Sequence, residues 1–204
     1  MDKGGLANRV KVKLDEFTPE GVGLPFDEYI GPLLDESARD LVLQGPLHLL
    51  SPTSIPLTSV AYADGKAYIP VPADWVRLYE LKYPLWKKPV REAISKENPE
   101  YKLQENEYLR SGYGRPSVAV VTTVIGGGAV TRYLECGRVD DPGATPLTPV
   151  ALYVAETKPE DLNDQLVDAL TWNATAKVLS VMGMQDKARA AMEQYVIALK
   201  SLML

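Results

Sequence analysis

Nucleophilic or metal-assisted chemistry needs several polar groups held together, and this sequence offers few of the usual ones: one histidine, His48, and one cysteine, Cys136, in 204 residues. A reactive cysteine needs a stabilised thiolate, which a helix N-terminus or a neighbouring cation provides. Cys136 sits instead in YLECG, a strand-like run where cysteine behaves as a small buried hydrophobe. His48 stands in PLHLLS, just past a helical pattern, where an imidazole can bond terminal carbonyls while its ring packs on leucines. A structural zinc takes several soft ligands, which one histidine and one cysteine do not supply.

A glycosidase needs only two carboxylates, and the middle of the chain holds Asp74, Glu80, Glu92, Glu97, Glu100, Glu105 and Glu107. None stands in a diagnostic setting. Asp140-Asp141-Pro-Gly reads as a turn before it reads as a calcium loop, because no EF-hand spacing surrounds it. Gly126-Gly127-Gly128 is followed by neither a helical pattern nor a Lys-Ser/Thr pair, so it is a chain reversal rather than a phosphate cradle. There is no GxSxG elbow and no HExxH helix. The expectation is a protein that is not an enzyme, with no catalytic residue, no metal ligand and no cofactor.

Charge narrows the partners. The net charge is -5, from 22 Lys plus Arg against 27 Asp plus Glu, and a mildly acidic surface repels phosphate. The local cluster Lys82, Lys87, Lys88 and Arg91 lies among aromatics and reads as a solvated face. Sequence-specific nucleic-acid binding is not expected. No run approaches the roughly 20 apolar residues of a membrane helix, and MDKGGLANRVKVKLDE lacks the apolar core of a signal peptide, so the chain is expected to stay where it is made. A single cysteine forbids an internal disulfide, which suits a reducing cytoplasm.

The elements that would position these residues follow from periodicity. Apolar residues make up 46% of the chain and charged residues 24%, the balance of a globular protein. Ile30, Leu34, Ala38, Leu41 and Val42 recur at helical spacing and predict a helix over 27–44, with Gly31-Pro32 at its first turn or a kink and Gly45-Pro46 at its end. A shorter amphipathic piece, Leu6 to Leu14, precedes it. From 51 to 156, Pro and Gly punctuate short runs of Val, Ile, Tyr and Thr, which predicts antiparallel strands. Asp64-Gly65 marks one hairpin, SVAVVTTVI and AVTRYLECG flank a second across the three glycines, and PVALYVA leads out of the sheet.

Thr157 and Glu160 have the spacing of a capping box, with Pro159 in the first turn. They predict a long helix to about Met182, its stripe being Leu162, Leu166, Ala169, Leu170, Ala174, Val178 and Val181, ended by Gly183. A second helix is expected from Asp186 as cap, with Ala188, Ala191, Met192, Tyr195, Val196, Leu199 and Leu202 on one side. The short connection makes these an antiparallel pair. The reading is α+β: one domain over 1–204, made of N-terminal helices (1–50), an inserted antiparallel β-sheet or sandwich module (51–156) and a C-terminal helical hairpin (157–204) that completes a helical bundle.

Two segments resemble a known family. The block PVPADWVRLYELKYPLWKKPVREAISKENPEYKLQENEY, residues 70–108, resembles the middle of tail-tubular-protein-A-like head-to-tail connectors, the adaptor or ring proteins of tailed bacteriophages. The shared elements are a strand entering Pro72-Ala73-Asp74, the run Trp75-Val76-Arg77-Leu78, Trp86 before Lys-Lys-Pro, and Asn98-Pro99-Glu100-Tyr101. The alanine-rich C-terminal pair is similar too, and so is the order of helix, β-insertion and helix pair over nearly the whole chain.

The resemblance implies a structural virion protein, assembled in the host cytoplasm into a homo-oligomeric ring, commonly a dodecamer. Such a ring sits beneath the portal protein and receives the downstream tail or nozzle protein, with DNA passing through its lumen. It carries over no catalytic residues. Independently, the final residues put apolar side chains on more than one helical face, which a partner surface or the chain's own core would cover. The residues expected at partner interfaces are Tyr83, Trp86, Lys87, Lys88, Tyr195, Leu199, Leu202, Met203 and Leu204, the two aromatics serving either as anchors or as packing beneath a loop. Two other classes stay open: a free-standing β-rich module binding a ligand or carbohydrate, and a small hydrolase with an unrecognised site.

Overall fold

Leu6, Val10 and Leu14 follow one another at every fourth position, a spacing that a helix turns into one stripe. They lie on α1 (Lys3–Phe17), and each is at most 1% exposed. The Asp2 carboxylate accepts the Gly5 N–H at 3.1 Å, and Thr18 donates its N–H and its hydroxyl to the Leu14 carbonyl at 3.0 and 2.8 Å. These two caps lengthen the helix beyond the Leu6–Leu14 stretch that its apolar residues alone mark out.

The chain then forms α2 (Asp27–Gln44), β1 (Thr53–Ser54), β2 (Ala61–Ala63), β3 (Lys66–Pro70), β4 (Trp75–Lys82), the short helix α3 (Pro99–Glu105), β5 (Val118–Thr123), β6 (Thr131–Cys136), β7 (Val150–Ala155), α4 (Val167–Val181) and α5 (Gln185–Ser201). The computed structural model describes residues 1–18, 27–63, 65–105, 114, 116–125, 129–137, 139 and 148–203. It is a mixed α+β protein with antiparallel sheets, as the sequence pattern indicates. The chain divides into two compact units, Met1–Ser51 with Glu156–Leu204, and Pro52–Ala155.

In the helical unit, α2 buries Ile30, Leu34, Ala38, Leu41 and Val42, each at most 1% exposed. Pro32 stands inside it, and the residue before it is Gly31, whose missing Cβ removes the clash with the proline ring that disfavours helix at that place. Gly45 ends the helix for a steric reason: its N–H meets the Leu41 carbonyl at 2.7 Å, and a Cβ there would lie 2.6 Å from that same oxygen.

Helix α4 packs against α1, α2 and α5, and it is buried on nearly every side, from Val167 through Leu179. Thr171 and Thr175 sit within it without orphaned hydroxyls, because each donates to the carbonyl four residues back, at 2.9 and 2.8 Å. Gly183, at φ +77°, closes the helix: its N–H reaches the Ser180 carbonyl, and the Met184 N–H reaches Leu179, the paired bonds of a Schellman motif.

Three expectations need correction here. The helix does not begin at Thr157. Two 3-10 turns, Pro159–Asp161 and Asp164–Leu166, precede α4, because the Asn163 side chain accepts the Gln165 N–H at 3.0 Å and restarts the chain there. Val181, counted with the buried stripe, is 57% exposed as the last residue of α4. Asp186 is not the cap of α5; the Schellman turn fixes Met184 in that place, and Asp186 lies in the first turn, where a carboxylate suits the helix dipole.

In the β unit, β2 and β3 pair as far as Ala63 opposite Lys66, which leaves a two-residue turn in which Gly65 takes φ +70°. Asp64 lies outside the described residues, as do the three glycines between β5 and β6, whose ladder runs from Val118–Cys136 to Thr123–Thr131. These four strands form one sheet, in the order β2-β3-β6-β5. Strand β7 does not leave that sheet. It is the central strand of a second one, β1-β7-β4, and long-range pairing of this kind carries no local signal. Ile69, Leu134 and Val118 of the first sheet and Leu78, Leu81, Ala151 and Tyr153 of the second share one apolar core. On the far face of the first sheet, Ala119 and Val121 pack with Tyr101 of α3.

Candidate functional site

The reactive residues are not poised for catalysis. Cys136 is fully buried, its Sγ donates weakly to the Leu134 carbonyl at 3.8 Å, and burial pushes the thiol well above its ordinary pKa, with Glu135 adding in the same direction. A thiol held in this state has no thiolate to attack with. His48 is exposed on the 3-10 turn Leu47–Leu49, while Leu49 and Leu50 take the buried positions. The two residues belong to different units.

Among the described residues, no group of three His, Cys, Asp or Glu side chains could hold a metal ion. Asp140 and Asp141 lie outside the described residues, as does Glu107 and the side chain of Glu105. Asp74 accepts the Tyr153 hydroxyl at 3.0 Å, and Glu80 pairs with Arg91 at 3.3 Å. Glu97 is held below the usual carboxylate range by its own backbone N–H and by Ser95.

The carboxylate that matters most to packing is one that sequence reasoning passed over. Glu135 is 7% exposed, and its Oε1 accepts both Lys66 Nζ, at 2.7 Å, and the Tyr101 hydroxyl, at 2.9 Å. Lys66 also stands 5.6 Å over the Tyr101 ring. Two similar ties hold the helices. Lys13 reaches Asp168 at 2.6 Å and Thr171 at 2.9 Å, 4.0 Å above the Trp172 ring, and burial lowers its pKa despite the carboxylate. Lys177 contacts Glu36 and Asp40, both at 2.7 Å. Each is a satisfied polar knot in or beside a core; Lys177 also borders an open concavity between α4 and α5, with Ser180, Gln185 and Arg189.

The interface residues separate into two groups. Tyr83 and Trp86 are 1% and 2% exposed, in the core shared by the two sheets, with ring centroids 5.2 Å apart. Burial, with Cys136 and Tyr62 alongside, raises the Tyr83 hydroxyl far above its ordinary pKa. These two are packing beneath a loop and not anchors, while Leu85, Lys87 and Lys88 of the same loop are exposed. Tyr195 is likewise turned inward, 5% exposed, with burial and then Asp40 raising its pKa. Leu199 and Leu202 are half-buried, and Met203 is 56% exposed. Leu204 lies outside the described residues.

What remains open is one side of α5. Ala188, Ala191 and Tyr195 face inward, but Met192 and Val196, expected on that same side, are each 39% exposed, and Ile197 is 59% exposed. Met192, Val196 and the half-buried Leu199 follow a four-three spacing along one line of the helix, and Met203 comes just past its end. Beside the line, Arg189, Met192, Glu193, Val196 and Ile197 border a shallow concavity of about 470 Å³. The sequence signal was present, since an arc that includes both 191–195 and 192–196 is wider than one neighbouring helix covers. An exposed apolar line of this kind can bury against another surface; it has no group that could transform a substrate.

No protein-family model matches the chain, and no curated protein matches it.

Proposed function

We propose that this chain is a structural virion protein, a head-to-tail adaptor whose copies form a ring beneath the portal and link it to the tail. The reading rests on the resemblance of residues 70–108 and of the element order to connector proteins of tailed phages. Its work is then done by surfaces: one patch on the β-insertion and another on loops such as Pro84 to Pro89 or Asp140 to Pro146 meet head to tail around the ring, as heterologous contacts require, while the terminal helices face the portal. The portal protein and a downstream tail or nozzle protein are the partners, and DNA passes through the lumen without being read.

The observation that carries the proposal is the apolar line Met192, Val196 and Leu199, together with Ile197, on the last helix, with exposed Met203 just beyond its end. Apolar side chains left in water on an otherwise well-packed unit mark a surface that a partner covers. The test is to mix the purified chain with purified portal rings of its own phage and follow mass by light scattering, then image the product. A ring of this chain on the portal is the expected result. No co-migration at any ratio, with both components folded, would refute the adaptor reading.

A further inference from the structure

We propose that, in the free protein, the exposed line of α5 is covered by α5 of a second copy, packed antiparallel about a two-fold axis. The proposal goes beyond the ring reading and concerns the chain before it meets any other partner.

The spacing of the line is that of a coiled-coil seam. Met192 and Leu199 stand at d positions and Val196 at the a position between them, so the seam keeps to one side of α5 for about 10 Å, at roughly 1.5 Å per residue, and Met203 follows just past the end of the helix. The two flanks of the seam differ. One carries Ala188, Tyr195 and Leu202, of which the first two are buried in the chain's own core. The other carries Glu193 and Lys200, both exposed, and among the described residues neither forms an ion pair within the chain.

Charge decides what fits there. In a parallel pair, each e position faces a g position of the partner, which here would set Glu193 against Ala188 and Lys200 against Tyr195 and leave both charges unused. In an antiparallel pair the e flanks face each other. If Val196 meets Leu199 of the second copy, then Glu193 falls beside Lys200 of the second copy, and Met192 lies against the residues that follow the end of that copy's helix. The two-fold axis makes that pair twice. The patch is therefore complementary to itself in charge as well as apolar along its centre, which is the requirement of an isologous dimer. So short a seam makes the dimer weak and in exchange with the monomer.

The experiment is sedimentation equilibrium of the full chain from about 1 μM to several hundred μM at low salt, with circular dichroism confirming that each variant is folded. The wild type is expected to shift from one-chain to two-chain mass across that range. Glu193→Lys places like charges together twice, and so does Lys200→Glu; each is expected to weaken the dimer by roughly tenfold or more. The double variant, with both charges exchanged, restores the wild-type value. Val196→Glu, in the centre of the seam, leaves a monomer. A wild type that stays monomeric throughout overturns the proposal, as does a species larger than a dimer, or a double variant no tighter than the singles. Since portal is absent from these samples, none of those results decides whether the chain binds it.

Discussion

Removing Lys66 from its pair with Glu135 tests how the β unit tolerates a charge in its interior. The Glu135 carboxylate is 7% exposed, its cross-strand neighbours are Tyr68 and Ala119, and two donors, Lys66 Nζ and the Tyr101 hydroxyl, share one of its oxygens. Lys66→Met deletes the cation that pairs with Glu135 and leaves a charge that the interior cannot solvate. Losing one partner of a buried pair costs about 3 to 5 kcal/mol, and since Lys66 itself is 27% exposed, the lower end applies, about 3 kcal/mol. Replacing the whole knot at once, as Lys66→Met, Glu135→Leu and Tyr101→Phe, removes the orphan along with the pair. The triple variant is expected within about 1 kcal/mol of wild type. Urea unfolding is best followed by tryptophan fluorescence in a Trp172→Phe background, where Trp75 and Trp86 remain and both report on the β unit. With a urea dependence of about 1.5 kcal/mol per M, the single variant moves the midpoint down by about 2 M and the triple by well under 1 M. If the triple variant is no more stable than Lys66→Met, the cost does not come from an uncompensated buried carboxylate and the reasoning fails.

Three further outcomes follow from the geometry. Gly45→Ala drives a Cβ to 2.6 Å from the Leu41 carbonyl oxygen and is expected to cost about 1 to 3 kcal/mol in thermal or urea unfolding, whereas an alanine at Gly4, whose Cβ meets nothing closer than 3.5 Å, changes little. Cys136 is expected to resist a thiol reagent in the native protein and to react completely in denaturant. Because its folded pKa lies above the unfolded value of about 8.5, its contribution is constant below that pH and falls above it by about 1.4 kcal/mol per pH unit. The stability difference between wild type and Cys136→Ala should therefore narrow between about pH 8.5 and 10, and parallel profiles would contradict the burial argument. Leu170→Ala, at a fully buried position of the central helix α4, is expected to cost about 3 to 5 kcal/mol and to lower the cooperativity of the helical unit.

The elements that could be read from the sequence are those fixed by local chemistry. The stripe from Ile30 to Val42 specified α2 to its last turn, and Asp-Gly placed the β2–β3 turn, because backbone preference and burial there point the same way. Non-local choices were not legible. The two residues of β1 are a strand only because Thr53 and Ser54 meet Tyr153 and Leu152, and β7 changes sheet for the same reason. At the start of α4 two local signals competed, and the Asn163 side chain overrode the Thr157-to-Glu160 spacing. Tyr83 and Trp86 show the limit of residue type as a guide to interfaces: aromatics suit an anchor and a core equally, and only their burial at 1% and 2% separates the two. Glu135 was invisible because alternation along TRYLEC treats a carboxylate as outward-facing, and a buried one is betrayed only by partners from β3 and α3.

The exposed line on α5 follows from how the helical unit is built. Helix α4 already spends most of its surface on α1, α2 and α5 and has little face left to draw in another. The side of α5 that meets it is made of Ala188 and Ala191, small residues that let the two axes approach, with Tyr195 as the one large side chain. Approach that close turns only a narrow arc inward. The next arc, at 192, 196 and 199, is only partly covered, and it is apolar where a helix that ends its unit would normally turn polar. Each fully buried side chain of this kind is worth roughly 1.5 to 3 kcal/mol, and Met192, Val196 and Met203, 39 to 56% exposed, retain much of that. Exchanging Met192 and Val196 for Gln and Lys should therefore leave the melting temperature of the isolated chain nearly unchanged while removing self-association. A large drop in melting temperature would mean that the line is already covered within the chain, and no partner would then be needed to explain it.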